Sequence, residues 1–162
     1  MFRRCEMLDE LGQKIIKELQ DDARQSFREI GRKLKVSEGT VRNRVKSLVN
    51  NNTIKISAIP NPERLGLNFM CIMCIEVKVG TAEKVEQLLI KNPHVYYLCG
   101  CTGNFDIIGI FLFRVPHDFD EFVKSVIANI PDITRTSTFV AMHISRSPWE
   151  HNLDVTALGK SA

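Results

Sequence analysis

Eight basic side chains stand between Arg24 and Lys46, against only Glu29 and Glu38 in the same window, a net charge of +6. Such a run suits a phosphate backbone, because each Lys or Arg that neutralises a phosphate releases a condensed counterion. A solvated helix face can carry similar charge, so spacing must discriminate. At about 100° per residue, a helix that starts after Ser37 and buries Val41 turns Gly39, Asn43, Lys46 and Asn50 outward, with Arg42 and Arg44 on either side. Asn43 carries the donor and acceptor that match an adenine edge, and Arg42 the fork that matches guanine or a phosphate. Gly39 would let the backbone come close to a partner. Thr40, near the helix N-terminus, can bond a phosphate where the helix dipole assists. Arg24 and Arg28 suit phosphate contacts upstream. Arg44 lies beside the buried stripe, where it can touch DNA or brace the helix through its aliphatic stem.

These side chains need a scaffold, and the first third of the chain spells one out. Leu8, Leu11, Ile15 and Leu19 recur every three or four residues, which predicts a helix that Asp21-Asp22 closes. Ser26 and Glu29 form a capping box opening a second helix barely two turns long, with Phe27, Ile30 and Leu34 inward. Lys35-Val36 breaks the chain tightly, and Ser37 is a suitable N-cap for the third helix. Val36 and Val41 fall at the positions of a hydrophobic staple, and Val41, Val45 and Leu48 share the inner face. Asn50-Asn51-Asn52 ends the helix, since Asn tolerates the left-handed cap conformation. Thr53 to Ile56 is expected to be a short strand, the wing, leading to the turn Pro60-Asn61-Pro62. Two short helices joined by a tight turn, the second one basic, is the helix-turn-helix pattern.

Beyond the turn the pattern becomes β-α-β-β-α-β. Strands are expected at 69–79, 95–101, 106–115 and 133–145. Helices are expected at 81–91, with Val85, Leu88 and Leu89 inward, and at 118–130. This is the ferredoxin-like arrangement, and the fold class is α+β. The expected domains are residues 1–60, 61–146 and a tail, 147–162, whose only evident anchor is Trp149. Helices in this arrangement cover one sheet face. Residues 69–75 and 107–113 are nonetheless apolar at nearly every position, so the uncovered face is apolar too. Such a patch marks an interface, and a homodimer made by stacking two sheets follows.

The charge is uneven, with 13 Lys/Arg against 8 Asp/Glu in residues 1–60 and 9 against 11 in the remainder. No stretch is apolar for long enough to span a bilayer, and MFRRCEMLDE lacks the apolar run of a secretory signal, so a cytoplasmic location without membrane partners is expected. The odd count of five cysteines argues against a disulfide framework. Cys71 and Cys74, three apart on a strand, face opposite ways, whereas Cys99 and Cys101 share a face. The four histidines are scattered, with no close charged partner visible. No cofactor, metal site or catalytic set is expected.

The order of these features resembles the Lrp/AsnC family of bacterial and archaeal regulators. The likeness runs from Leu8 to about Ser145. It is carried by Leu8-Asp9, Asp22-Ala23-Arg24, Ser26, Glu29-Ile30, Val36-Ser37, Thr40-Val41, Arg44-Val45, Ile54, Leu65-Gly66, Thr102 to Asp106 and Arg135 to Thr138. It departs at Gly12, where the family often has an acidic residue and where glycine should cost the helix roughly 1 kcal/mol against alanine. It departs again at Asn52, where a glycine usually precedes the wing. The resemblance implies a winged helix-turn-helix joined to a ligand-responsive α+β domain, dimers that often assemble into octameric rings, and an amino acid or similar effector bound near the Gly-x-aromatic-Asp turn. Carried across, the effector residues are Gly103, Asn104, Phe105 and Asp106, with Thr136 and Thr138. Gly103 frees an amide for a carboxylate, Asp106 can take an ammonium group, and the two threonines share one strand face. Two alternatives share the architecture: an enzyme like the siroheme decarboxylases, and a thiol- or metal-responsive regulator.

Overall fold

A computed structural model describes residues 8–145 and Val155; the proposed anchor Trp149 lies outside the described residues. The chain divides into two compact units between Ile59 and Pro60. The first holds helices α1 (Glu10–Asp21), α2 (Phe27–Leu34) and α3 (Glu38–Asn50). Each starts on a side-chain cap, which supplies an acceptor to an amide that the helix itself leaves unpaired. Asp9 Oδ1 accepts from the Gly12 amide at 3.0 Å, Ser26 Oγ from Glu29 at 3.2 Å, and Ser37 Oγ from Thr40 at 3.0 Å. Gly12 does more than cost helix stability. A Cβ there would stand 2.8 Å from Asp9 Oδ1 and 2.9 Å from Leu8 Cδ1, so the cap occupies the space that alanine would need.

The core of this unit is Ile15, Ile16 and Leu19 from α1, Ile30 from α2, and Val41, Val45 and Leu48 from α3. Val36 packs on it, as the staple requires, and Ile54 and Val155 cover it further. Between α2 and α3 the chain reverses through Lys35, whose φ of 58° lies in the left-handed region. The Val36 amide donates to Gly31 O at 2.9 Å, and the Val36 carbonyl would lie only 2.7 Å from a Cβ on Gly31.

The expected wing strand does not form. Asn52 takes a φ of 55°, and the amides of Thr53 and Ile54 turn back to Leu48 O at 2.9 and 3.3 Å. Donors that would begin a strand ladder therefore close α3, and residues 54–60 hold no regular structure. A strand needs a paired edge, and none of the described residues supplies one here.

The second unit is a four-stranded antiparallel sheet in the order β2-β3-β1-β4, built from β1 (Phe69–Val77), β2 (Val95–Gly100), β3 (Ile107–Phe113) and β4 (Ile133–Val140). Helices α4 (Ala82–Leu89) and α5 (Pro116–Ser125) complete it. This is the βαββαβ order read from the pattern. The element ends differ: β4 stops at Val140 rather than Ser145, α5 starts at Pro116 rather than Asp118, and a 3-10 turn at Ile127–Asn129 replaces its expected last turn. Val85 and Leu89 of α4 are buried, whereas Leu88, also expected inward, sits on the rim and is exposed.

Directly paired residues of an antiparallel ladder share a face. Cys71, Met73, Ile75 and Val77 of β1 and Ile107, Phe111 and Phe113 of β3 are buried in one core with Val85, Leu89 and Phe122 of the helices. Gly109 lies in that row because the Phe111 ring occupies its side-chain space, 2.5 Å from where a Cβ would be. The opposite face carries Met70, Ile72, Cys74 and Glu76 of β1, with Ile108 and Ile110 of β3.

Gly31→Ala is expected to destabilise the N-terminal unit by about 2 kcal/mol, because backbone must move to admit the methyl group. Lys35→Gly is expected to stabilise it by about 0.5 kcal/mol, relief of the left-handed strain outweighing glycine's entropy cost. Urea unfolding followed by far-ultraviolet circular dichroism checks both.

Candidate nucleic-acid interface and effector site

The third helix is set like a rod against its support. Val41, Val45 and Leu48 are buried behind it, while Gly39, Thr40, Arg42, Asn43 and Lys46 are exposed in front. Asn43 and Lys46 make no hydrogen bond or ion pair with any described residue. Arg42 reaches back one turn to Glu38, an exposed pair that a competing phosphate can displace at little cost. Thr40 Oγ1 lies 2.8 Å from Ser37 Oγ at the start of the helix. Arg28 is exposed on α2, and Arg24 touches Asp22 only loosely, at 3.6 Å.

Arg44 differs from these. Its Nη2 donates to Asp9 Oδ2 at 2.6 Å, so the residue that caps α1 also holds α3. Arg44 thus braces α3 through its guanidinium, where the aliphatic stem was expected to do so. Lys33, also in the basic window, is spent in a similar way. Its Nζ bonds Glu18 Oε2 and Gln25 Oε1, both at 2.7 Å, and the Glu18 carboxylate raises its ammonium above the ordinary lysine range. Sequence reasoning missed Asp9 and Gly31 as parts of this site. The signals were an acidic residue directly after Leu8, at the start of the first apolar stripe, and a glycine inside the second.

In the other unit the turn between β2 and β3 holds Gly103, Asn104, Phe105 and Asp106. Gly103 has a φ of 125°, open to glycine and costly for other residues. Asn104 is exposed. Asp106 is largely structural: its amide donates to Ile75 O at 2.9 Å, its carbonyl accepts from Cys101 at 2.8 Å, and its Oδ2 accepts from the Val77 amide at 2.8 Å. That last bond falls where the β1–β4 register shifts, between Glu76 and Val77. One carboxylate oxygen is left for any ammonium group.

Thr136 and Thr138 do share a face, paired with Ile75 and Met73, but it is the side the helices cover. Phe105 instead meets Arg135, whose guanidinium lies 5.1 Å from the ring centroid. Within one chain the six expected residues therefore split between a turn with Phe105 under Arg135 and a pair of hydroxyls on the other side of β4. Arg135 was quoted from sequence only as part of the last-strand signature and Glu76 not at all, because their pairing depends on the β1–β4 register.

The thiols fall in two settings, one in the core and three towards the open face and the turn. Cys71 is buried in the core, and burial pushes its thiol up to about 11. Cys74 and Cys99 stand across Ile108 from each other on the open face, and Cys101 Sγ donates to Phe105 O at 3.1 Å. Burial, then neighbouring Cys99, raises the Cys101 thiol as well. Among the described residues no three His, Cys, Asp or Glu side chains are grouped to hold a metal ion. His94 is engaged in packing, with Nδ1 2.9 Å from Leu112 O and its ring stacked 4.5 Å from Phe113. His117, expected to lack a charged neighbour, has one: Glu121 lies 3.4 Å away along α5.

Residues 8–49 match the AsnC-type helix-turn-helix domain and residues 70–149 the Lrp/AsnC ligand binding domain. An HTH-type transcriptional regulator of Pyrococcus furiosus is 36% identical over 138 residues, covering 85% of this chain and 93% of the relative. The chain belongs to the Lrp/AsnC family. It is a DNA-binding transcription regulator with a ligand-binding domain. The regulator FL11 of Pyrococcus abyssi is 31% identical, covering 88% of this chain and 95% of FL11. Among solved structures, Escherichia coli AsnC superposes with a TM-score of 0.85 at 20% identity, over 92% of this chain and 99% of AsnC. A Neisseria meningitidis transcriptional regulator in complex with L-Met gives 0.79 at 19% identity, over 86% and 93%. Neither an enzyme nor a metal-responsive regulator is favoured by this set of relatives.

If Arg44 is chiefly a brace, Asp9→Ala and Arg44→Ala are each expected to lower stability. Their double mutant should show a coupling of about 0.5 kcal/mol, as befits a half-exposed pair. Arg42→Ala should leave stability within about 0.5 kcal/mol of wild type. Paired thermal and urea denaturation distinguishes the two arginines.

Proposed function

We propose that this regulator reads DNA through the exposed face of α3, with Arg42 and Asn43 at base edges in the major groove and Lys46 on a phosphate beside it. Gly39 and Thr40 lie against the backbone, Arg24 and Arg28 bind flanking phosphates, and Arg44 supports the helix. The observation that carries the reading is the contrast along α3 between a fully engaged apolar side and Asn43 and Lys46, exposed and unpartnered. Buried polar groups find partners within a fold, so exposed and unpaired ones beside a basic patch are available to an outside acceptor. The protein acts by binding rather than by catalysis, in the cytoplasm. No helix among the described residues is long and apolar enough to cross a membrane, and free thiols fit a reducing compartment.

A second copy of the chain covers the open sheet face, and dimers assemble further, up to octamers. On that face Tyr97, Ile110, Ile72 and Phe139 form a row across all four strands, and Ile72, Tyr97 and Phe139 are 37%, 53% and 58% exposed in a single chain. Large apolar groups side by side are what an interface removes from water. The effector is an amino acid or a similar small molecule bound around Gly103, Asn104, Phe105 and Asp106, with Thr136 and Thr138 joining from the edge strand of another copy of the chain. The L-Met complex of the structural relative supports that chemistry.

Selection of bound sequences from genomic DNA yields the operator. Against it, Arg42→Ala and Asn43→Ala are each expected to lower the preference over random duplex by roughly 1–3 kcal/mol. Lys46→Ala should weaken all sequences alike and reduce the slope of log K against log salt by about 1. Binding that is insensitive to salt, or a preference unchanged in both variants, would refute the assignment. Phe139→Asp is expected to yield folded monomers in sedimentation, and a dimer of wild-type strength would remove the stacked-sheet assembly.

A further inference from the structure

The Arg135 guanidinium is held from two directions. Its Nε donates to Glu76 Oε2 at 2.9 Å, and its central carbon lies over the Phe105 ring. No other described residue engages it, which leaves both terminal nitrogens without a protein acceptor. Side-chain exposure of 60% keeps that end open to solvent. A guanidinium fixed through Nε and by an aromatic face presents its remaining fork as a rigid planar donor pair, the complement of a carboxylate. An exposed ion pair adds little stability, so anchoring the fold does not account for the arrangement.

The surroundings favour the same ligand group. Phe105 belongs to the turn proposed for the effector, whereas the Asp106 carboxylate is half spent on the Val77 amide. Along the open face the rows run from Met70 with Leu112, through Ile72 and Cys74, to Glu76 with Arg135, so charge is confined to the end beside the turn. A second copy stacked on the apolar rows would leave that end at the polar rim, accessible to a small solute.

We infer that Arg135 is the anchor for the carboxylate of the effector, its guanidinium fork binding both carboxylate oxygens while Phe105 and Glu76 hold its plane. This rests on the proposed effector function and assigns that function's charged contact to a residue outside the six carried over from the family.

The test is calorimetric titration of the full-length protein with the twenty common L-amino acids, each beside its carboxamide. Wild type is expected to bind at least one acid, with the amide at least tenfold weaker. Arg135→Gln is expected to weaken that acid at least tenfold and erase the difference between acid and amide. Arg135→Lys, which keeps the charge and loses the fork, should fall between, and carries the test if the Gln variant fails to fold by circular dichroism. Acid binding within twofold of wild type in the variants, or equal binding of acid and amide by wild type, overturns the anchor and leaves the effector reading standing. A wild-type protein that binds none of the forty compounds overturns both.

Discussion

The approach of the Val36 carbonyl to Gly31 is the constraint on which the DNA-binding unit turns. A helix that must reverse and restart within a few residues brings backbone against backbone, and only a residue without a side chain leaves room. Once the chain passes through Lys35, Val36 is presented to Val41 and Ser37 Oγ to the Thr40 amide. Cap, staple and reversal are thus one local solution to ending α2 and starting α3. Its output is the direction of α3, and everything that helix offers to DNA follows from that direction.

That solution was readable because it is local. The Ser26 and Ser37 caps, the Val36–Val41 staple and the buried Val41, Val45, Leu48 stripe all lie within one or two turns of the residues that dictate them. Long-range support was not. That Asp9 would cap α1 and also bind Arg44 depends on how two helices meet, 35 residues apart in sequence. The wing fails for a related reason. The sequence from Thr53 to Ile56 suits a strand, but strand character is realised only with a partner edge, and the Leu48 carbonyl captures the first two amides.

In the second unit the topology followed from the order of apolar runs, and the element ends did not. Apolarity persists past Val140 into Met142 and Ile144, which stay exposed, so hydrophobicity alone extends β4 beyond the last rung it shares with β1. Leu88 shows the same limit. Its position three residues after Val85 puts it at the edge of the inner face, where it stays exposed while Val85 and Leu89 are buried. For the candidate site, the Gly103–Asp106 turn was legible as a motif. The division of labour within it was not, because the Val77 amide that occupies Asp106 comes from a strand 29 positions away.

The two faces of the sheet explain why this unit can be both a stable fold and a ligand-binding domain. One face is filled: Phe111 and Phe113 meet Phe122, and Phe111 even covers the gap at Gly109. Packing of that density resists change, since altering one methylene is felt by its neighbours. The open face is graded, with apolar rows giving way to Cys74 and Ser137 and then to Glu76 and Arg135. An apolar row gains by excluding water, and a charged row loses by the same exclusion unless each charge keeps a partner. Any body laid on this face is therefore drawn toward the Ile72–Phe139 row and held off the Glu76–Arg135 row. A solute that alters the charge at that end changes the cost of closing the face, without touching the core beneath it.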